Sequence, residues 1–551
     1  MEKEPNESRV KLADSIIKEY DKLRPSNRKA VEDEIRRIAN PLSMSDIESD
    51  VNDYEAEDDM FDTTVRTAAT IAKNGIMSRM FPFSSKWFAN TFKKVDESEN
   101  EERHIRALEK VGDIQFRQLG QDNFYGAMSE ALNDYLHLGT TNIRLTKGKR
   151  RFAHFQAIPK STYNFALDDE GFPDIVLNYY KLTAYEIKTK FGDKALPARI
   201  HLAVQEEKWE EKFEVINKIH RRTEFSDEFP APPEKREYSS VWVSKSDKDL
   251  IGNSSVPRRK VIYEDGEYYN LYTIGRLMTR AGQAEGDGLT SMMLPAIRTA
   301  NQKAINIEKA QNLAVDPPWY QDESNPLDDI LPGAKINRDP FSPESAASPI
   351  PMPSDGIQWE QAGLQEIRTD INEAFFVSAF KMFTNMDVAT NRKTAFEARL
   401  IKAEQLSLLI TLLYNLSEEI VKPLLEKHLG LMIRGGKIPQ SILDDLPENY
   451  EIELTSQFAK SIESSRAEDL MSAAEMAAQL EQVSPGVTKS TVKFNQAFRK
   501  TLLNMEIDVD DLYTSEESQE LMDKEIQAQE ALMQAQTGNQ VADGISKVAG
   551  L

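Results

Sequence analysis

Between Leu289 and about Phe380 the chain reads as a long helical segment, a proline-rich stretch and a second helical segment. Met293, Ile297, Ala300, Ala304 and Ile307 recur at alternating four- and three-residue steps. That spacing puts a narrow apolar stripe on one face of a helix running from Leu289 to about Val315. At 1.5 Å of rise per residue, such a helix is a rod of about 40 Å. Asp316-Pro317-Pro318 stops it, and nine of the chain's 25 prolines fall between Pro317 and Pro353, where little helical pattern remains. A second helix resumes near Trp359, with Leu364, Ile367, Ile371 and Phe375 on one face. Two helices bracketing a compact insert predict a stalk with a small head, which carries one part of a protein away from its body.

At 551 residues the chain is long enough for several domains. Hydrophobic content of 40% with 29% charged residues predicts that most of it folds. No run approaches the roughly 20 apolar residues of a membrane span, and Met-Glu-Lys-Glu-Pro is no secretory signal. With no cysteines, a disulfide framework, thiolate zinc sites and cysteine nucleophiles are excluded. The net charge of −23 argues against a protein that grips nucleic acid over its whole surface, though not against one that lets DNA pass without sticking.

Along the chain, residues 10–40 read as one helix ended by Pro41. Between Asp46 and Asp59 lie eight acids and no bases, read as a solvated segment. Helical patterns follow over Phe61–Met80, Glu101–Gln118 and Asn123–Leu138, the last capped by Gly139. The period then changes to that of strands: Asn142–Leu145, Arg151–Ile158, Tyr163–Leu167 and Ile175–Tyr180, with a turn at Asp168–Gly171. A short helix at Thr183–Phe191 precedes strands at Phe213–Arg222, Arg236–Ser244, Lys260–Tyr263 and Tyr268–Ile274. Glu264-Asp265-Gly266-Glu267 is read as the turn joining the last two. Glycines at 275, 282, 286 and 288 mark the exit into the stalk. Beyond it come the polar stretch Lys381–Lys393 and a helix over about Thr394–Leu429, interrupted late by Pro423. A short strand at Tyr450–Thr455, helices at Ala459–Leu480 and Ser490–Leu503 and a Gln/Ala/Glu-rich tail complete the reading. The fold class is α+β, predominantly helical.

Chemistry-bearing motifs are mostly missing. Gly-x4-Gly-Lys-Ser/Thr, His-Glu-x-x-His, Gly-x-Ser-x-Gly and Gly-x-Gly-x-x-Gly are absent. The six histidines are scattered, and Asp508-Val509-Asp510-Asp511 lacks the glycine and distal glutamate of a calcium loop. No catalytic residue, metal site or cofactor is expected. Basic residues cluster locally: Lys147, Lys149, Arg150 and Arg151 at a strand turn read as a solvated hairpin tip or a contact for an acidic neighbouring chain. Arg298, Lys303, Lys309 and Arg368 interrupt the stalk helices, and Lys381, Arg392 and Lys393 sit beside Asn385 and Asn391.

The order of these elements resembles the portal, or head-to-tail connector, proteins of short-tailed (podovirus-type) phages, from about Ala30 to Arg466. The helix Phe61–Met80 leading into Phe83 and Trp87-Phe88 carries part of the likeness, as does Asn123-Phe124-Tyr125 through Leu138-Gly139-Thr140-Thr141. Leu294-Pro295 before the helix that ends in Ala314-Val315-Asp316-Pro317-Pro318 is more specific. Lys393-Thr394-Ala395-Phe396-Glu397-Ala398-Arg399 looks like a variant of a Thr-Ala-Thr-Glu-Val segment, with Phe396 for the second Thr and Ala398 for the Val.

The resemblance implies a portal fold: a wing over 1–288, stem helices at 289–315 and 359–380 and a clip at 316–358. A tunnel loop would span 381–393, a crown 394–505 and a C-terminal tail 506–551. It implies a homododecameric ring at one capsid vertex of the virion, assembled in the host cytoplasm, through which double-stranded DNA enters and leaves. Arg298, Lys303, Lys309 and Arg368 would face the channel, with Lys381, Asn385, Asn391, Arg392 and Lys393 in the tunnel loop. Trp319, Tyr320, Arg338 and Phe341 would lie in the clip that docks terminase and the tail adaptor. Further expected partners are the major capsid and scaffolding proteins and internal ejection proteins, with no membrane. The competing readings are a non-enzymatic head–tail adaptor or scaffold without its own channel, and a nuclease using Asp58 and Asp59.

Overall fold

The N-terminal amphipathic stretch forms two helices, Asn6–Lys22 and Ser26–Ala39, not one. Pro25 lies between them in the sequence, and a proline supplies no N–H to continue a helical ladder. The structure, a computed structural model, describes residues 6–23, 26–39, 60–91, 100–192, 196–226, 229–245, 261–315, 319–320, 348–349, 354–384, 413–447 and 449–455. The chain divides into two units, Met1–Lys93 with Lys110–Ser456, and Lys94–Glu109 with Gln457–Leu551. Of the second, the described residues are the first turns of the helix Asn100–Gln121. The remaining description is of the first unit.

Its architecture is mixed α+β. Helix Thr64–Met80 leads to strand β1 (Phe88–Thr91), and helix Phe124–Leu138 leads to β2 (Thr140–Lys147) and β3 (Ala153–Ile158). Strands β4 (Tyr163–Leu167) and β5 (Pro173–Thr183) precede helices Ala184–Phe191 and Ala198–Gln205. Then come β6 (Lys212–Arg221), β7 (Tyr238–Ser244), β8 (Val261–Glu267) and β9 (Tyr272–Arg276). The long helix Leu289–Val315 is followed by β10 (Trp319–Tyr320), β11 (Ser348–Pro349) and the helices Ser354–Ala374 and Val377–Thr384. A helical run from Leu413 ends at Arg434, and β12 (Glu451–Leu454) is the last described strand.

Strands β4-β5-β6-β7-β8 form an antiparallel five-stranded sheet, and β3-β2-β9 form a second sheet. Alternation along β6 sorts its side chains between two layers. Ile216 faces the N-terminal helix, where Ala13, Ile16 and Tyr20 are buried with Leu177, Tyr179, Val241 and Val243. Val215 faces the opposite way, into Ala184, Ile187, Ile200, Ala203 and Trp242. Ile158, Tyr163, Phe165, Val176, Ile219, Tyr272 and Ile274 bring the two sheets into one core. Phe81, Trp87 and Phe88 stack with Phe124 and Phe155, which gives the aromatic run after Met80 its place.

Several expectations need correction. Glu264–Glu267 is no turn: β8 continues through it, and Glu267 pairs with Tyr238 of β7. Gly266 is required by close approach instead, since a Cβ there would lie 1.8 Å from the carbonyl oxygen of Pro233. The helix expected over 359–380 starts five residues earlier and breaks at Phe375-Phe376, where Phe376 adopts φ 54°. Pro423 does not interrupt its helix but sits in the first turn of Lys422–Arg434, directly after a π-helical turn at Ser417–Val421. Helix Ala198–Gln205 and strand β1 were not expected. The helices expected beyond 455 and most of the one from Thr394 lie outside the described residues.

The exit into the stalk is a crossing of two backbones. Gly139 caps its helix at φ 78°, its N–H donating to the carbonyls of Asp134 and Tyr135 at 3.1 Å each. A Cβ on Gly139 would lie 2.0 Å from the carbonyl carbon of Asp287, and one on Gly288 would lie 2.3 Å from the oxygen of His137. Only glycines let the Gly286–Gly288 segment pass this close and start the long helix there. Gly139→Ala is expected to lower stability by about 2–4 kcal/mol, combining left-handed strain with overpacking, in denaturant melts. Gly171→Ala, also at positive φ but with nothing nearby, should cost less.

Candidate helical stalk and its anchorage

The long helix buries Leu289, Leu294, Ile297, Ala300 and Ile307, which is close to the expected stripe. Met293 is half-buried, and Leu294 takes its place in the core. The Ser354–Ala374 helix buries Leu364 and Ile371. Lys303 Nζ donates to Glu360 Oε2 at 2.8 Å, tying the two helices together. Trp319 and Tyr320 pair with Pro349 and Ser348, which holds the far ends of the helical hairpin side by side.

The body grips this hairpin through a few polar groups. Asn301 Oδ1 accepts the backbone N–H groups of Phe61 (2.8 Å) and Asp62 (3.1 Å). Asp62 Oδ1 accepts the N–H of Thr64, satisfying one of the orphan donors at that helix start, and Asp62 Oδ2 accepts from Arg368 Nε at 2.8 Å. Asp62 is thus a joint between three helices. Burial pushes its carboxyl up, but the hydrogen bonds from Thr64 and Arg368 outweigh that and hold it below the usual carboxylate range. Arg298 forms a two-point pair with Glu34 of the second N-terminal helix, at 2.6 and 2.5 Å. At the base of the long helix, His137 Nδ1 lies 2.7 Å from Thr290 Oγ1, and burial pulls this imidazole down to about 4.

Below the stalk, Arg276 fastens β9 to the π-helical turn. Its Nη2 and Nε donate to Glu419 at 2.7 and 3.1 Å, and its backbone N–H donates to the same carboxylate at 2.7 Å. Ile420, next in sequence, packs over Gly275 so tightly that a Cβ there would be 2.0 Å from it.

Of the four stalk cations singled out in the sequence, Arg298, Lys303 and Arg368 are therefore each paired with an acid of the same chain. Lys309 is exposed and makes no ion pair among the described residues. Lys381 is exposed on the last turn of Val377–Thr384. Asn385, Asn391, Arg392, Lys393, Arg338 and Phe341 lie outside the described residues, as do Asp58 and Asp59. Sequence reading missed the acceptors Glu34, Asp62, Asn301, Glu360 and Glu419. Asp62 alone carried a signal, an acid two residues before the first helical Thr64. Among the described residues no group of three or more His, Asp or Glu could hold a metal, and no helix is long and apolar enough to cross a membrane.

The ion pairs thus tie a helical stalk to a mixed α+β body. Residues 13–510 match the family of bacteriophage head to tail connecting proteins, and the chain belongs to that family. It is also similar to the portal protein of Salmonella phage epsilon15, with 23% identity over 436 residues covering 77% of this chain and 75% of that one. The resemblance to phage portal proteins drawn from the sequence motifs is thereby met, and the chain is a structural protein of a phage virion at the junction of head and tail.

Asp62 gives this anchorage a pH signature. A carboxyl held below its unfolded value contributes stability above about pH 4 and loses it as the pH falls through the lowered value. Asp62→Asn should therefore be destabilised by about 1–2 kcal/mol at pH 7, with the gap to wild type closing toward about pH 2 in thermal melts. A gap constant from pH 7 to pH 2 would place the effect in packing instead of charge.

Proposed function

We propose that the chain is a portal protein that assembles as a dodecameric ring at one capsid vertex. It conducts double-stranded DNA in during packaging and out during ejection, and serves as docking platform for terminase and tail. The family match across residues 13–510 carries this reading. In it, 1–288 form the wing, Leu289–Val315 and 359–380 the stem, 316–358 the clip, 381–393 the tunnel loop and 394–505 the crown. The stalk hairpin supports the stem assignment, because one face of each helix is buried and the other is left for neighbours or a lumen. Trp359 is 79% exposed and Met292 53% exposed on these helices, which suits lateral packing of copies around an axis.

The charge balance supports conduction over capture. Duplex DNA bears one charge per about 1.7 Å, so a densely basic channel would hold it fast. A chain of net charge −23, with three of four stalk cations paired internally, offers phosphate contacts that are few, weak and indifferent to sequence. Lys309, Lys381, Arg392 and Lys393 are the cations this reading assigns to the DNA. Trp319, Tyr320, Arg338 and Phe341 fall to the clip and its contacts with terminase and the tail adaptor. Capsid and scaffolding proteins would meet the wing.

Two experiments test the reading. Negative-stain microscopy of the purified chain should show rings with a central hole and about twelvefold top views. Particles without a pore at every concentration and salt would leave only the head–tail adaptor reading. Within rings, Lys381→Ala/Arg392→Ala/Lys393→Ala is expected to assemble normally but retain several-fold less packaged DNA. Normal packaged DNA in that variant removes the tunnel-loop role.

A further inference from the structure

Two oppositely charged turns sit at the two ends of one strand. β2 runs from Thr140, paired with Arg276, to Lys147, paired with Ala153. Beyond Lys147 the β2–β3 turn carries Lys149, Arg150 and Arg151, all exposed. At the opposite end, Arg276 Nη2 donates to the carbonyl of Gly171 at 3.1 Å, which holds the β4–β5 turn there. That turn exposes Asp168, Asp169 and Glu170, beside a Phe172 that is 59% exposed. At about 3.4 Å per residue, the eight residues of β2 separate the two ends by about 24 Å. Neither set of charges makes an ion pair among the described residues.

Two further basic side chains, Arg144 and Lys190, lie behind the basic end. Arg144, on the same strand, lies 5.7 Å from the ring centre of Trp242 and 5.9 Å from those of Tyr180 and Tyr272. Its Nε is buried with no hydrogen-bond partner. The Lys190 ammonium sits 3.6 Å from the Trp242 ring centre although the residue as a whole is exposed. Burial and then the neighbouring Arg144 pull Lys190 down to about 7. Neither cation has a carboxylate at ion-pair distance among the described residues. Glu267 favours the Arg144 charge and Glu186 that of Lys190 from beyond ion-pair distance, and the exposed cations of the turn itself remain open to an anion from outside.

We propose that neighbouring copies of this chain meet head to tail through these turns, Lys147–Arg151 of one copy against Asp168–Phe172 of the next. The inference rests on the oligomeric portal reading and adds a surface to it. Copies of net charge −23 repel one another, so a side-by-side assembly gains from a place where opposite charges face. A patch and its complement at opposite ends of one strand can make a heterologous contact, the kind that closes into rings. A long polyanion is a poorer occupant, because a chain of net charge −23 repels it beyond the first few phosphates. Two turns bury far less than the roughly 1,200–2,000 Å² of a stable interface, so this contact sets order and association rate while apolar packing supplies affinity.

Charge reversal in the full-length chain tests it. One variant is Lys149→Glu/Arg150→Glu/Arg151→Glu, a second is Asp169→Lys/Glu170→Lys, and a third combines all five. Asp168 is left intact because its Oδ1 accepts the N–H groups of Glu170 and Phe172. Native mass spectrometry and light scattering at low and high salt read the assembled fraction, with circular dichroism melts to confirm folding. Each partial reversal should lower assembly about threefold or more at low salt, and the five-fold swap should restore it. If a reversal unfolds the protein, the corresponding alanine variants take its place. Wild-type assembly with both partial variants assembling equally well would overturn the contact and leave the portal reading standing. Loss in the basic-turn variant that the swap does not rescue would mean a different anion, nucleic acid or another protein, occupies the turn, and would also overturn it. A wild type that stays monomeric under all conditions would remove the portal reading and this contact together.

Discussion

Arg276 is the side chain on which most of the body's geometry converges. Its guanidinium holds Glu419 of the π-helical turn, the carbonyl of Gly171 in the β4–β5 turn and the carbonyl of Ala284 on the way to the stalk. Its backbone N–H is bound to Glu419 as well. One planar fork therefore fixes a strand, a turn, a helix and the approach to the long helix, and its two-point geometry specifies angle as well as distance. Both partners are mostly buried, at 11% and 18% side-chain exposure. Removing either would leave an uncompensated charge in a poorly solvated place, which is why such a node resists piecemeal change.

From this node the stalk is positioned in two stages. The glycine crossing at Gly139 and Gly286–Gly288 sets where the long helix begins, by letting backbones touch where side chains cannot fit. Polar clamps then set its direction: Glu34 on Arg298, Asn301 on the start of the Thr64–Met80 helix, and Asp62 on Arg368. The clamps differ in weight. Arg298 and Glu34 are at the surface, where solvent screens the pair and weakens its contribution. Asp62 has a side-chain exposure of only 4%, its carboxylate accepts from Thr64 and Arg368 and its N–H donates to Asn301, so it is the joint that fixes the helices relative to the body.

The regular parts of this fold were legible because local pattern and final structure agree there. The long helix runs from Leu289 to Val315, as its apolar stripe and Pro317-Pro318 dictate, and β4 matches its reading at Tyr163–Leu167. The misreadings share a physical cause, which is that tertiary contacts override local signals. Asp265-Gly266 is a strong turn dipeptide, yet Gly266 serves to admit the Pro233 carbonyl against a strand. β1 is four residues long and pairs with β12, more than 350 positions away, so no local window contains both halves. The split at Phe376 follows no proline or glycine. Of the candidate site, the cations were visible in the sequence, but their partners were not, because Glu34, Asp62 and Glu360 lie among 91 acids that look alike until the chain folds.

That last point changes what the stalk's basic residues can be. Read along the sequence, Arg298, Lys303 and Arg368 look like a sparse ladder of phosphate contacts. In the folded chain each already faces a carboxylate at 2.8 Å or less, and a phosphate would have to displace that partner to bind. The field that any polyanion would meet along such helices is the sum of both charges, nearly neutral at a distance of a Debye length or about 8 Å. Pairing thus does two things with one set of residues. It fixes the helices to one another and to the body, and, on the proposed portal reading, it strips the surface of the net positive charge that would turn a conduit into a trap.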